Sequence, residues 1–198
     1  MRNVIFDLGG VVFDWNPDVI LETYYPDPND RAAVKSALFL HADWSELDRG
    51  TLSELEVLRR LAQRTRRPAA ELDGLFAAVL ESLKPKADTV ALLERLVSRQ
   101  VPLYCLSNMA VGTYGHLRER HSFWPAFRGI VISAQIKMMK PEPEIYRYLL
   151  TRYELSAERT VFVDDMPANV AAAAALGLHA VRFEHARQCE IELERLLE

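Results

Sequence analysis

The chain has 198 residues, 49% hydrophobic and 26% charged, with 24 Lys and Arg against 28 Asp and Glu and a formal net charge of -4. That size and balance fit one domain, or one domain with a smaller insert, and exclude disordered, collagen-like and disulfide-stapled chains. The acidic balance leaves no electrostatic footprint for nucleic acid, and no apolar stretch reaches the length of a membrane span, so neither is expected as a partner.

Asn3 to Phe6 is a short apolar run that stops at Asp7-Leu8-Gly9-Gly10 and resumes at Val11 to Phe13. It predicts a buried strand, a tight turn and a short extended return. Asn16-Pro17 is a helix-start signal, with Asn16 as N-cap and Pro17 at the first helical position. From there to Leu83 the apolar spacing is helical throughout, with no strand. Within this block, Arg64, Arg66 and Arg67 read as a solvated helix end, and Ser45 to Gly50 as either a glycine-terminated helix end or a substrate-facing loop.

After Leu83-Lys84-Pro85 the pattern changes to alternating helices and strands. Val101 to Leu106 predicts a second strand, ending at Ser107-Asn108. Gly129 to Ser133 predicts a third. Pro141 opens a helix over 142–153, Thr160 to Val163 is a fourth strand ending at Asp164-Asp165, and Ala168 to Leu176 is a small-residue helix. A short strand at 180–183 and a terminal helix from Arg187 complete the chain. The fold class this implies is α/β: a doubly wound, parallel, Rossmann-like sheet over 1–15 and 84–198, with an all-α cap inserted at 16–83. Cys105 and Cys189 offer no disulfide framework, and Asp7 interrupts any signal-peptide core, so a soluble protein of the reducing cytoplasm is expected.

Three apolar strands end in polar groups: at Asp7, at Ser107-Asn108 and at Asp164-Asp165. In an open parallel sheet these ends share one edge, where ligands bind. Three converging acids would raise one another's pKa unless a cation lay among them. Oxygen donors without His or Cys point to a hard ion such as Mg²⁺, completed by phosphate and water.

These residues resemble the haloacid dehalogenase superfamily of hydrolases. The resemblance spans essentially the whole chain and rests on four ordered motifs: Asp7-Leu8-Gly9-Gly10-Val11, Ser107-Asn108 after a strand, Lys140-Pro141, and Asp164-Asp165 with Asn169 and Gly177 downstream. It implies that Asp7 attacks phosphorus to form an aspartyl-phosphate, that Ser107 and Asn108 bind the phosphoryl oxygens, and that Lys140 neutralises charge on Asp7 and phosphate. It implies a Mg²⁺ site of Asp7, the Gly9 carbonyl and Asp165, with Asp164 contributing directly or through water. Phosphatases of this superfamily usually carry a second acid two residues after the nucleophile, where this chain has Gly9. The Gly9-Gly10 form resembles a subgroup of bacterial sugar-1-phosphate phosphatases, which implies a small phosphorylated metabolite as substrate, a sugar phosphate in particular. Three explanations of Gly9 follow: a leaving group good enough to depart unaided, a substitute acid among Asp14, Glu46 and Asp48, or a weak catalyst that binds phosphate esters as a regulatory protein. A metal-independent 2-haloacid dehalogenase is a further alternative, which leaves the Asp164-Asp165 pair unexplained. Asn169 either orients an acid or caps a helix, Lys137 is a substitute for Lys140, and Trp15, Trp44 and Trp124 read as packing residues. A monomer or homodimer is expected.

Overall fold

The computed structural model describes residues 2–197. Its sheet has five parallel strands in the order β3-β2-β1-β4-β5: β1 (Asn3–Phe6), β2 (Leu103–Ser107), β3 (Phe127–Ile132), β4 (Thr160–Asp164) and β5 (His179–Arg182). Between β1 and β2 lie α1 (Pro17–Tyr24), α2 (Pro28–Ala37), α3 (Ala42–Arg49), α4 (Glu54–Thr65), α5 (Ala69–Ser82) and α6 (Ala87–Ser98). Thereafter α7 (Val111–Arg120), α8 (Ser133–Ile136), α9 (Pro143–Arg152), α10 (Pro167–Ala175) and α11 (Ala186–Leu197) link or follow the strands.

The central strands β1, β2 and β4 are buried on both faces, which is why they read as nearly continuous apolar runs. Side chains alternate along each strand. Val4, Phe6, Leu103, Cys105, Val161 and Val163 pack with Leu92, Leu93 and Leu96 of α6 and with Cys189 and Leu193 of α11. Ile5, Tyr104, Leu106 and Phe162 face the other way, onto Ile145, Tyr146 and Leu149 of α9 and Ala173 of α10. Removing an aliphatic or aromatic side chain of this kind from water contributes about 1.5–3 kcal/mol. Helices α1 to α5 enclose a separate apolar cluster that includes Leu21, Val34, Leu38, Val57, Leu61, Leu72 and Leu75.

The start of α1 is as expected: Asn16 caps it, accepting from the N–H groups of Asp18 and Val19, and Pro17 follows. Four local expectations are corrected. Val11 to Phe13 is not an extended return, because the N–H groups of all three residues turn back onto the Leu8 carbonyl. Pro143, not Pro141, occupies the first turn of α9, and Glu142 is its N-cap; Pro141 belongs to the loop that carries Lys140. Ser133 starts α8 and does not end β3. The arginines at the end of α4 are a solvated end only at Arg66, which is exposed. Arg64 pairs with the buried Asp43 at 2.5 Å, and Arg67 bridges Asp30 and Glu71 while lying over the Tyr25 ring. Distant carboxylates, invisible in a local window, draw these guanidinium groups inward.

Candidate active site

Strand register builds the site. Phe6 lies level with Cys105 of β2 and Val163 of β4, so the residues that follow emerge together at the carboxyl edge. The Asp7 N–H donates to the Val163 carbonyl at 2.9 Å, extending the ladder by one residue and holding the nucleophile candidate beside Asp164. The chain runs outward through β2 and β3 on one side of β1 and returns through β4 and β5 on the other. Asp7 and Asp164-Asp165 therefore sit where the strand order reverses, the position at which open α/β sheets hold ligands.

Gly10 is required at this edge. Its φ is +76°, and a Cβ there would collide with the Asp165 carboxylate. Gly9 is less constrained: a Cβ would meet only Trp15 Cβ, at 3.9 Å.

Lys140 is one of the largest fully buried side chains of the protein. Its Nζ lies 2.9 Å from Asp7 Oδ1 and donates to Asp164 Oδ2 at 2.6 Å. Burial alone would lower the pKa of this ammonium, but the Asp7 and Asp164 carboxylates outweigh it and hold the pKa above the ordinary lysine value. For Asp7, burial pushes the pKa up, against the Lys140 charge and with Asp164 adding to the rise. Asp165 is raised as well, chiefly by burial and then by Asp164. Lys137, the C-cap of α8, is not among the residues that line the cleft, whereas Lys140 is.

Asp164 is enclosed by donors. Besides Lys140 it accepts from the Met166 N–H at 2.8 Å and from Asn169 Nδ2 at 3.0 and 3.1 Å. Asn169 thus orients an acid and does not cap α10, whose N-cap is Met166. Ser107-Asn108 do not cap a helix either, because α7 begins at Val111 and its N-cap is Ala110. Ser107 is buried at the floor of the cleft. Asn108 clasps Lys140: Nδ2 donates to the Lys140 carbonyl and Oδ1 accepts from the Lys140 N–H, both at 2.8 Å.

Among the described residues, Asp7, Asp164 and Asp165 each offer a carboxylate oxygen, all within 4.8 Å of one another. An oxygen-only set of this compactness fits a hard divalent cation such as Mg²⁺. The ammonium of Lys140 does not balance three carboxylates, and a divalent cation would offset the remainder.

Over this edge opens a cleft whose opposite wall comes from Trp15 and the helical block that follows it. Trp15, Trp44, Val79 and Leu83 supply apolar surface, with Met109 and Met166 from the sheet side. Trp15 and Trp44 stack at 5.7 Å, and Trp44 also contacts Phe39 and Phe76. The two tryptophans therefore pack and face the cleft at once, whereas Trp124 is buried among Phe13, Tyr114 and Phe127.

Of the three substitute acids, Asp48 alone lines the cleft. Burial pushes its carboxyl up to about 7, opposed by a hydrogen bond from the Ala110 N–H and reinforced by the Asp7 charge. Asp14 is solvent-exposed beside Lys86, and Glu46 is occupied by Thr51 and Arg49. The segment Ser45 to Gly50 is the end of helix α3, closed by Gly50, and of its residues Asp48 lines the cleft. Two contributors carried no sequence signal: Ser133, buried behind the strand ends, and Glu142, which grips Arg49 of α3 at 2.9 and 2.5 Å.

The family model for haloacid dehalogenase-like hydrolases matches residues 1–177. A sesquiterpene phosphatase, astK of Aspergillus oryzae, is 31% identical over 196 residues, covering 99% of this chain and 96% of that protein. A drimenol cyclase, drtB of Aspergillus calidoustus, is 28% identical over 200 residues, which are 99% of this chain but 36% of that larger protein. Among solved structures, a HAD family enzyme, bt-2542 of Bacteroides thetaiotaomicron, in complex with magnesium and inorganic phosphate, superposes with a TM-score of 0.74. It shares 20% identity, over 93% of this chain and 94% of that one, and so attests the fold.

Proposed function

This chain belongs to the haloacid dehalogenase-like hydrolases, and we propose that within the family it is a Mg²⁺-dependent phosphatase of a small phosphorylated metabolite. The observation that carries this reading is the buried Lys140 ammonium held between Asp7 and Asp164, with Asp165 beside them. One cation flanked by three carboxylates suits a site that receives a further cation together with a phosphate dianion.

In this reading the Asp7 carboxylate attacks phosphorus in line, the bond to the ester oxygen breaks, and water then hydrolyses the aspartyl-phosphate. Lys140 offsets charge on the Asp7 oxygen and on the phosphoryl group, held in position by Asn108. The buried Ser107 hydroxyl and Asn108 bound the phosphoryl pocket from the end of β2. Asp7, Asp165 and the Gly9 carbonyl would hold Mg²⁺, with Asp164 contributing directly or through water. When bound, the ion supplies charge neutralisation for the phosphoryl group. Residues 16–83 act as a cap over a core of 1–15 and 84–198, a division supported by the separate apolar cluster of α1 to α5. The free, buried Cys105 and Cys189 accord with a reducing cytoplasm.

A sugar phosphate is the substrate implied by the Gly9-Gly10 motif. The apolar wall of Trp15, Trp44, Val79 and Leu83 favours a second class, a monophosphate with a hydrocarbon body. The 31% identical sesquiterpene phosphatase supports the same class.

Replacing Asp7 by Asn, with the fold checked by circular dichroism, should abolish Mg²⁺-dependent release of phosphate from p-nitrophenyl phosphate. Retained turnover in that variant would falsify the assignment. A panel of sugar phosphates and isoprenoid monophosphates then separates the two substrate classes. Binding of phosphate esters without turnover by the wild-type protein would instead mark a regulatory protein, and halide release in EDTA a dehalogenase.

A further inference from the structure

Three consecutive residues, Asp48 and Arg49 of α3 and its C-cap Gly50, join the helical block to the segment that follows β3. The Asp48 carbonyl accepts from the buried Ser133 hydroxyl, whose oxygen in turn accepts from the Met109 N–H at 2.9 Å. Arg49 forms a two-point ion pair with Glu142, two residues beyond Lys140. Gly50, at φ +79°, lies so close to the Ala134 backbone that a Cβ would collide with its carbonyl. All three anchors lie on the segment from β3 to α9, the segment that carries Lys140. They fix the backbone of Asp48 over the strand ends while its side chain faces the cleft that Asp7, Gly9 and Lys140 also line.

We propose that Asp48, held by this clasp, is the proton-transfer residue of the reaction, occupying from the cap the role that Gly9 leaves open on the core. The inference rests on the phosphatase reading above. Asp14 and Glu46, the other acids near enough in sequence, are turned to other partners and do not reach the cleft.

The steps balance as follows. As Asp7 Oδ bonds to phosphorus and the phosphorus–ester oxygen bond breaks, the departing alkoxide takes the proton of the Asp48 carboxyl and leaves as an alcohol. In the second step a water oxygen bonds to phosphorus, its proton passes to the Asp48 carboxylate, and the bond to Asp7 Oδ breaks. Phosphate is released and both carboxyl groups regain their starting states. Asp48 is thus an acid in the first step and a base in the second.

Leaving groups of different basicity test this assignment. In Asp48→Asn, turnover of hexyl phosphate, whose alkoxide needs a proton, should fall by about 10²- to 10⁴-fold. p-Nitrophenolate departs without one, so the same variant should still release a stoichiometric burst from p-nitrophenyl phosphate and then accumulate phosphoenzyme, detectable by mass spectrometry of the intact protein. Adding Gly9→Asp to Asp48→Asn should restore hexyl phosphate turnover, since a Cβ at Gly9 meets nothing nearer than Trp15 Cβ at 3.9 Å. Hexyl phosphate turnover within threefold of wild type in Asp48→Asn overturns the proposal. So does an equal loss on both esters with no burst, which marks Asp48 as a structural element of the cap. A wild-type protein that hydrolyses neither ester overturns the phosphatase reading itself, and this one with it.

Discussion

Asn108 holds the backbone of Lys140 from both sides, its amide donating to the Lys140 carbonyl and accepting from the Lys140 N–H at 2.8 Å each. The two residues are 32 apart in sequence, and this pair of bonds sets the depth at which the Lys140 ammonium meets Asp7. A side-chain amide is the group that can do both, because it carries a donor and an acceptor side by side.

Asn108→Asp keeps the acceptor for the Lys140 N–H but turns a carboxylate oxygen toward the Lys140 carbonyl. The expected result is a folded protein with kcat reduced by about 100-fold, the cost of misplacing a catalytic group by roughly 1 Å. Steady-state kinetics with a thermal melt separates this from unfolding. A kcat equal to wild type would show that Lys140 is held by other means.

Lys140→Met removes the buried ammonium that pairs with Asp7 and Asp164 and leaves these carboxylates uncompensated. Breaking a buried ion pair from one side costs about 3–5 kcal/mol. The variant should melt well below wild type in EDTA and recover part of the difference in millimolar Mg²⁺, because a ligand that binds only the native state stabilises it. Differential scanning calorimetry with and without Mg²⁺ reads both arms, and a Tm indifferent to Mg²⁺ in both proteins would count against the metal site.

Gly10→Ala combines a left-handed backbone with a collision against the Asp165 carboxylate. The strained φ alone costs about 1–2 kcal/mol for an L-residue. Displacement of Asp165 should show as a Mg²⁺ requirement raised at least tenfold in activity assays, whereas Gly9→Ala, whose Cβ meets only Trp15 Cβ at van der Waals distance, should leave that requirement near wild type.

Asp43 in the helical block is buried, yet ion pairs with Arg64 and Arg60 outweigh the burial penalty and hold its pKa below the ordinary value. A carboxyl whose folded pKa is depressed contributes stability that is complete above its unfolded pKa and lost as pH falls through the folded one. Wild-type stability should therefore decline from about pH 4 downward. Asp43→Asn should lose about 1–3 kcal/mol at neutral pH and show a smaller decline in acid. Urea unfolding at several pH values measures this, and parallel curves for the two proteins would contradict it.

Motifs bounded by a strand end were legible in the sequence because a strand that stops at a polar residue announces both its register and its edge. Asp7, Ser107 and Asp164-Asp165 were assigned to one edge in this way, and the parallel order β3-β2-β1-β4-β5 puts them there. Helix starts were partly legible: Asn16-Pro17 marks α1 correctly, but Pro141 was assigned the role that Pro143 holds. Two prolines two residues apart carry the same local signal, and the competition is decided by the loop that Asn108 grips.

By itself, then, the sequence determined the doubly wound sheet, its helical insert and the acids at its edge, since hydrophobic period and turn chemistry are local properties. Tertiary structure decided which distant partners each polar group meets. It paired Asn108 with Lys140, Asn169 with Asp164, Arg64 with Asp43 and Arg49 with Glu142. It also separated Asp48, which faces the cleft, from Asp14 and Glu46, which do not. The reason is physical: burying a charge or an amide requires a partner, and the partner is chosen by three-dimensional proximity between segments whose local patterns are independent of one another.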